Sequence, residues 1–231
     1  MSNVKNNSAS QETRRRLLLA AGEVFAERGF HAATIKEITD RAGASLASVN
    51  YHFRDKGELY AAVLRRIAQE KAHLIPPDEA LSGNAATRFR QFIHWYCVKA
   101  IGQDRPPWEQ ILLAREMAQP TAALDLLLEA VFKPLNEKLS ALIAELLNVP
   151  VADKSVALAA ASVFGQCMYH LRHHHLIGRM HPQLGDHPSV EDLASHIAQF
   201  SLAGLRRVGR QSAKTGHRRP KHAHARHAVL K

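Results

Sequence analysis

The sequence predicts an all-α protein, with an N-terminal three-helix unit joined through a fourth helix to a larger C-terminal helical bundle. Three observations carry that prediction. Ala and Leu dominate while aromatic residues make up 6% of the chain, which favours helices over strands. Apolar residues recur at three- and four-residue intervals rather than alternating. At three points before Leu59, a Ser, Thr or Asp is followed three residues later by Glu or Gln, the pattern that opens a helix.

Ser8 and Gln11 form the first such box, and Leu17, Ala21, Val24 and Phe25 follow at helical spacing until Gly29, which suits a C-terminal cap. Residues 1–10 read as a flexible arm. Thr34 and Glu37 form the second box, Ile35, Ile38 and Ala42 share a face, and Gly43 ends that helix after little more than two turns. Past Gly43-Ala44-Ser45, Ser45 caps a third helix in which Leu46, Val49 and Phe53 point inward at i, i+3 and i+7. Asp55 and Glu58 open the fourth, with Leu59, Val63 and Ile67 on its buried side as far as Pro76-Pro77-Asp78. The first domain is therefore placed at residues 11–73, with a helix-turn-helix at 34–53.

Longer helices follow at 85–103, after Pro106-Pro107, at 121–147 with a kink expected at Pro134, at 152–176 and at 190–208. Their wide apolar faces imply burial on more than one side, as in a bundle that forms an oligomer interface or encloses a cavity. This second domain is placed at 84–208. Residues 209–231 carry no periodic apolar face and read as a disordered basic tail.

A formal charge of +10 suggests a polyanionic partner, but nine Lys or Arg and no acid lie between Arg206 and Lys231, leaving about +1 on the rest. DNA binding by the folded body must then rest on a motif, not on bulk charge. The first residues are polar, and no stretch approaches the ~20 apolar residues that span a bilayer, so a cytoplasmic protein without a membrane partner is expected. Cys97 and Cys167 form neither a disulfide framework nor a CxxC pair, as expected of reduced thiols. No GxSxG, P-loop, dinucleotide-glycine or HExxH pattern occurs, so neither catalysis nor a cofactor is expected.

Two short helices joined by a tight turn, the second with small polar residues outward, are how a helix is offered to the DNA major groove. The outward set is Ala47, Ser48, Asn50, Tyr51 and His52. Asn50 suits adenine, Ala47 a thymine methyl, and Ser48 a base or a phosphate. Lys56 is placed to reach a phosphate, and backbone N–H groups near Thr34 and Ser45 add positive partial charge.

Residues 13–60, TRRRLLLAAGEVFAERGFHAATIKEITDRAGASLASVNYHFRDKGELY, resemble the DNA-binding domain of the TetR/AcrR family. The RGF, IKEI, AG, SVNYHF and K-x-EL elements arrive in order and spacing. LLAREMAQPTAALDLLLE at 112–129 and the helix containing FGQCMYH resemble the CerR/CecR-like branch of that family. The resemblance implies double-stranded operator DNA as partner, met by Ser48, Asn50, Tyr51, His52 and Lys56 with a backbone contact at Thr34. It also implies a C-terminal ligand-binding and dimerisation domain, with a homodimer made by the last two helices. A repressor released from a palindromic operator by a small molecule is the expected function.

Candidate pocket residues are Trp95, Trp108, Arg115, Met117, Phe164, Cys167, Met168 and Tyr169, which combine apolar walls with a few polar groups. Arg115 with Glu116 also suits an internal ion pair. His94 and Cys97, and Cys167 and His170 with His174 nearby, stand at spacings that suit a soft-metal or thiol sensor, but ordinary packing is the reading adopted and no metal is assigned. A metal- or thiol-responsive regulator of the same fold and a nonspecific nucleoid-type DNA-binding protein remain the alternatives.

Overall fold

The computed structural model describes residues 2–101, 106–184 and 189–216, and among them the regular elements are all helical. In order they are α1 (Ser2–Ala32), α2 (Ile35–Ala42), α3 (Leu46–Phe53), α4 (Lys56–Lys71), α5 (Ala85–Ile101), α6 (Pro107–Ala118), α7 (Leu124–Leu127), α8 (Lys133–Leu147), α9 (Lys154–Met180) and α10 (Val190–Gly216). The chain forms two compact units. The first holds the residues up to Pro77 together with Trp95–Lys138, and the second holds Asp78–His94 with the residues from Leu139 onward.

One apolar cluster organises the first unit. Leu17, Ala21, Val24 and Phe25 of α1, Ile38 of α2, Val49 and Phe53 of α3, and Leu59, Val63 and Ile67 of α4 are buried in it, as their spacing predicts. Trp108, Leu112 and Leu113 of α6, with Leu127 and Val131, belong to the same cluster. The sequence division at 73 and 84 places those residues with the C-terminal helices. Periodicity says that a helix buries a face but not which core receives it. Gly22 admits α6 here, because a Cβ at that position would lie 2.5 Å from Cζ3 of Trp108.

Several boundaries differ from expectation. The helix expected to begin at Ser8 runs back to Ser2, so residues 2–10 are helical rather than a loose arm. With no Gly or Pro among them, a helix nucleated on the buried turns downstream extends upstream. Gly29 (φ 78°, ψ 165°) interrupts α1 near its end. Leu46, expected inward, is 59% exposed, because it opens α3 one turn before Val49, where the core begins. At Pro134 the expected kink takes the form of a π-helical turn at Leu128–Phe132, just ahead of the proline. The basic tail expected from residue 209 is still helical to Gly216, and its remainder lies outside the described residues.

In the second unit, Asp153 caps α9 by accepting from the Ser155 N–H at 2.8 Å; non-helical backbone at His173 (φ −119°, ψ 21°) interrupts it just before the expected end at 176, and helix resumes as far as Met180. It packs on α10, where the Gln166 amide donates to Ser201 Oγ at 3.2 Å. Val156, Ala160, Val163 and Cys167 of α9 and Ala194, Ile197, Ala198 and Leu202 of α10 are buried.

Candidate nucleic-acid interface

Local hydrogen bonds fix the two short helices. Thr34 adopts extended backbone (φ −115°, ψ 147°), its hydroxyl accepts from the Glu37 N–H at 3.2 Å, and its own N–H donates to Glu37 Oε2 at 3.1 Å. The Thr34 hydroxyl also donates to Glu37 Oε2 at 3.0 Å, and this bond first and that from the Thr34 N–H second hold the Glu37 carboxyl below its ordinary range. α2 ends at Gly43 in the left-handed conformation (φ 58°, ψ 43°), where a side chain would be strained. Ser45 then opens α3, its Oγ accepting from the Ser48 N–H at 3.2 Å and lying 2.9 Å from Ser48 Oγ.

Burial of Val49 and Phe53 sets the rotation of α3 and turns Ala47, Asn50 and Tyr51 to the surface. Tyr51 is 79% exposed, with its ring edge-on to His52 at 4.9 Å. The Asn50 amide makes no hydrogen bond among the described residues, so both its donor and its acceptor are available. His52 is half-buried; burial first and the nearby Arg14 charge second push its pKa down, favouring the neutral ring. The surface offered is polar, aromatic and nearly uncharged.

Lys56 stands elsewhere than its expected role suggests. Its ammonium donates to the carbonyls of His31 (3.2 Å) and Ala33 (3.1 Å) and lies 4.9 Å from the Phe30 ring centroid. It ties α4 to the α1–α2 connection and so positions Thr34, with one of its three donors left over. Arg14 and Arg54 also border α3, and Leu46 at its start is exposed; sequence reasoning placed none of the three on this surface. The charge of Arg14 and Arg54 was visible, but their place beside α3 depends on how α1 packs and on the turn after Phe53.

Behind α3, α6 is bolted to the same unit. Glu116, only 1% exposed, accepts from the Tyr60 hydroxyl and from both the N–H and the hydroxyl of Thr121 at 2.8 Å. Burial first, then Glu116, push the Tyr60 pKa up. Arg115 donates to the Glu27 carbonyl at 3.1 Å, so the expected Arg115–Glu116 ion pair is replaced by two separate ties, one to α1 and one to α4.

The pocket candidates divide between the units. In the first, the Trp95 indole donates to the His73 carbonyl at 2.9 Å, Trp108 lies in the core, Arg115 is tied to α1, and Met117 is exposed. Arg115 borders a small cavity of about 160 Å³ that also involves Phe30, Tyr60, Leu112, Glu116 and Thr121. In the second, Phe164 is half-buried against Phe92 (6.5 Å between centroids), Cys167 is buried, Met168 is half-buried, and Tyr169 is exposed beside His170 and His173. Among the described residues no three His, Cys, Asp or Glu side chains are grouped to hold a metal; the His174 side chain lies outside them.

Residues 17–63 match the family described as bacterial regulatory proteins, tetR family. Residues 85–205 match the C-terminal domain of the HTH-type transcriptional dual regulator CecR. Over 178 residues the chain is 28% identical to the HTH-type transcriptional dual regulator CecR of Shigella flexneri, covering 73% of this chain and 79% of that protein. A shorter match, 52% identical over 61 residues, covers 26% of this chain and 28% of the HTH-type transcriptional activator FasR of Mycolicibacterium smegmatis, so it spans less than a third of that protein's length. Among solved structures, the transcriptional regulator FadR of Bacillus subtilis in complex with stearoyl-CoA superposes with a TM-score of 0.56 at 18% identity, covering 82% of this chain and 98% of that one.

Proposed function

The chain belongs to the TetR family of bacterial regulatory proteins and carries a CecR-type C-terminal domain, and on that premise we propose that it is a ligand-responsive repressor that binds a palindromic operator as a homodimer. The carrying observation is α3, whose Ala47, Asn50 and Tyr51 stand exposed on a helix fixed by two caps and two buried anchors. Asn50 reads adenine through its unengaged amide, Ala47 meets a thymine methyl, and Tyr51, Ser48 and His52 complete the contact. With the Thr34 N–H itself held by Glu37, the N–H groups of the first turns of α2 and α3, just after Thr34 and Ser45, face the phosphates together with the last donor of Lys56.

The dimer rests on α9 and α10. Leu158, Gly165 and Tyr169 are exposed at intervals of seven and four residues, one face of α9 ahead of the non-helical backbone at His173; Leu176 and Met180 are exposed beyond it, and Phe200 of α10 is 64% exposed. Pairing of these faces between copies gives an isologous interface and two heads related by a two-fold axis. A small molecule among the pocket candidates releases DNA by changing the separation of the heads, and α6 supplies the lever, because Trp108, Arg115 and Glu116 fasten it to α1 and α4. No helix among the described residues is long and apolar enough to cross a membrane, and the cytoplasm is the proposed site of action.

The test is to recover the fragments that the purified protein retains from its own genome, footprint them, and compare transcription of the flanking genes with and without the regulator. A two-fold symmetric footprint and transcription that rises when the gene is deleted are expected. No preference over random DNA would refute operator recognition, and transcription that falls on deletion would make the protein an activator.

A further inference from the structure

The faces of α1 and α4 beside α3 carry a feature that operator reading by α3 does not use. A cleft of about 380 Å³ lies at the C-terminal end of α3 and is bordered by Arg14 of α1, Arg54 of the connection to α4, Arg65 of α4, and Tyr51 and His52. It shares Arg14, Ala62 and Arg65 with a larger groove of about 620 Å³ between α1 and α4, to which Arg15 and Arg66 also contribute. One carboxylate, Glu58, borders the cleft, and Arg65 pairs with it at 3.2 Å. Arg15 is likewise neutralised by Glu12 and Arg66 by Glu70. Arg14 and Arg54 have no carboxylate partner among the described residues. The Arg14 guanidinium is held 5.2 Å from the Phe53 ring centroid, stacked on the last residue of α3.

The backbone at Arg54 has the conformation of a γ-turn with positive φ (φ 65°, ψ −59°), closed by the Asp55 N–H donating to the Phe53 carbonyl at 2.7 Å. Glycine would adopt it at less cost, yet the position holds an arginine that lines the cleft. Length then decides what the cleft meets. Eight residues make α3 about 12 Å long, close to the width of about 12 Å of the major groove, so its two ends approach the two phosphate walls. The cap at Ser45 serves the wall near its start.

We propose that Arg14 and Arg54 form a phosphate clamp for the opposite wall, gripping the DNA backbone at the C-terminal end of the recognition helix. This rests on the reading of the chain as a duplex-DNA binder and adds the residues that orient α3 in the groove. Arginine suits the task because its planar fork binds phosphate oxygens in pairs and stays charged. The contact carries no sequence information, so it acts equally on every duplex.

Arg14→Gln, Arg54→Gly, the double variant and the charge-retaining Arg54→Lys would be titrated in a salt series onto the wild-type-selected genomic fragment and onto a random duplex. The slope of log affinity against log salt is expected to fall by about 1 for each arginine removed and about 2 in the double variant, with Arg54→Lys keeping the wild-type slope. The loss should be the same factor on both duplexes. Because glycine relieves the strained backbone, Arg54→Gly should melt no lower than wild type, which separates lost binding from lost fold. Unchanged slopes in folded variants would overturn the clamp while leaving operator binding standing. A loss confined to the selected fragment would overturn it too, by making these arginines base readers, and a wild-type protein that binds neither duplex would defeat both readings.

Discussion

The first unit closes its apolar core within one chain, whereas α9 and α10 of the second leave Leu158, Tyr169 and Phe200 in water. Around α3 the exposed Ser45, Asn50, Tyr51 and Arg54 are polar, Leu46 and Ala47 being the apolar exceptions, and both short helices are capped, a surface that loses little by being solvated and gains by meeting base edges. On one face of α9 Leu158 and Tyr169 stand exposed at helical spacing, a surface that gains only when another apolar surface covers it. On the proposed function, one molecule carries two recognition chemistries, hydrogen bonding for DNA and burial for its own copy.

The sharpest way to break that comparison is to charge the apolar face. Leu158→Glu with Phe200→Glu should convert a dimer into a monomer, since centrally buried apolar anchors are each worth about 2 kcal/mol or more. Light scattering reads the mass, and melting of the first unit should be unaffected. A double variant that stays dimeric would place the interface elsewhere.

Removing the wedge between α6 and α1 is the next largest change. Trp108→Ala should cost about 3 to 5 kcal/mol of stability in the first unit, because the indole fills the space over Gly22. Denaturant unfolding followed by circular dichroism measures it. A cost below about 1 kcal/mol would mean that α6 is not part of that core.

Asn50→Ala probes the polar surface alone. It should weaken binding to the selected fragment by about 1 to 3 kcal/mol and leave random DNA and the melting temperature nearly unchanged. Equal losses on both DNAs would deny Asn50 a reading role.

The smallest effect belongs to a cap. Thr34→Ala should lower stability by about 1 kcal/mol at neutral pH. Part of that effect depends on pH. Thr34 hydrogen bonds depress the Glu37 carboxyl below its ordinary value of 4.5, so the stabilisation is present above that value and is lost as pH falls through the lower folded one. The gap between wild type and Thr34→Ala should narrow on acidification through the carboxylate range, and a pH-independent gap would show that the Glu37 half of the box contributes nothing.

What was legible in the sequence follows the range of the interactions. The caps at Thr34, Ser45 and Asp55 were readable because each joins residues three apart, and the inward stripe Leu59, Val63 and Ile67 because helical geometry alone aligns it. The outward set of α3 followed from its anchors. Leu46 misled because it fits the stripe by spacing yet lies at the helix end, past the edge of the core.

The sequence by itself determined the all-helical class, the helix-turn-helix and the exposure of Ala47, Asn50 and Tyr51 on its second helix, since propensity, capping and periodicity act within a few residues and need no partner. Only the tertiary structure decided that α6 joins the N-terminal core, that Lys56 ties down the α1–α2 connection, that Glu116 serves Tyr60 and Thr121 rather than Arg115, and that Arg14 and Arg54 flank the same end of α3. The physical reason is that these contacts join residues up to 88 positions apart. Their partners are chosen by packing of whole helices, where small choices such as a glycine at position 22 determine which surfaces can approach.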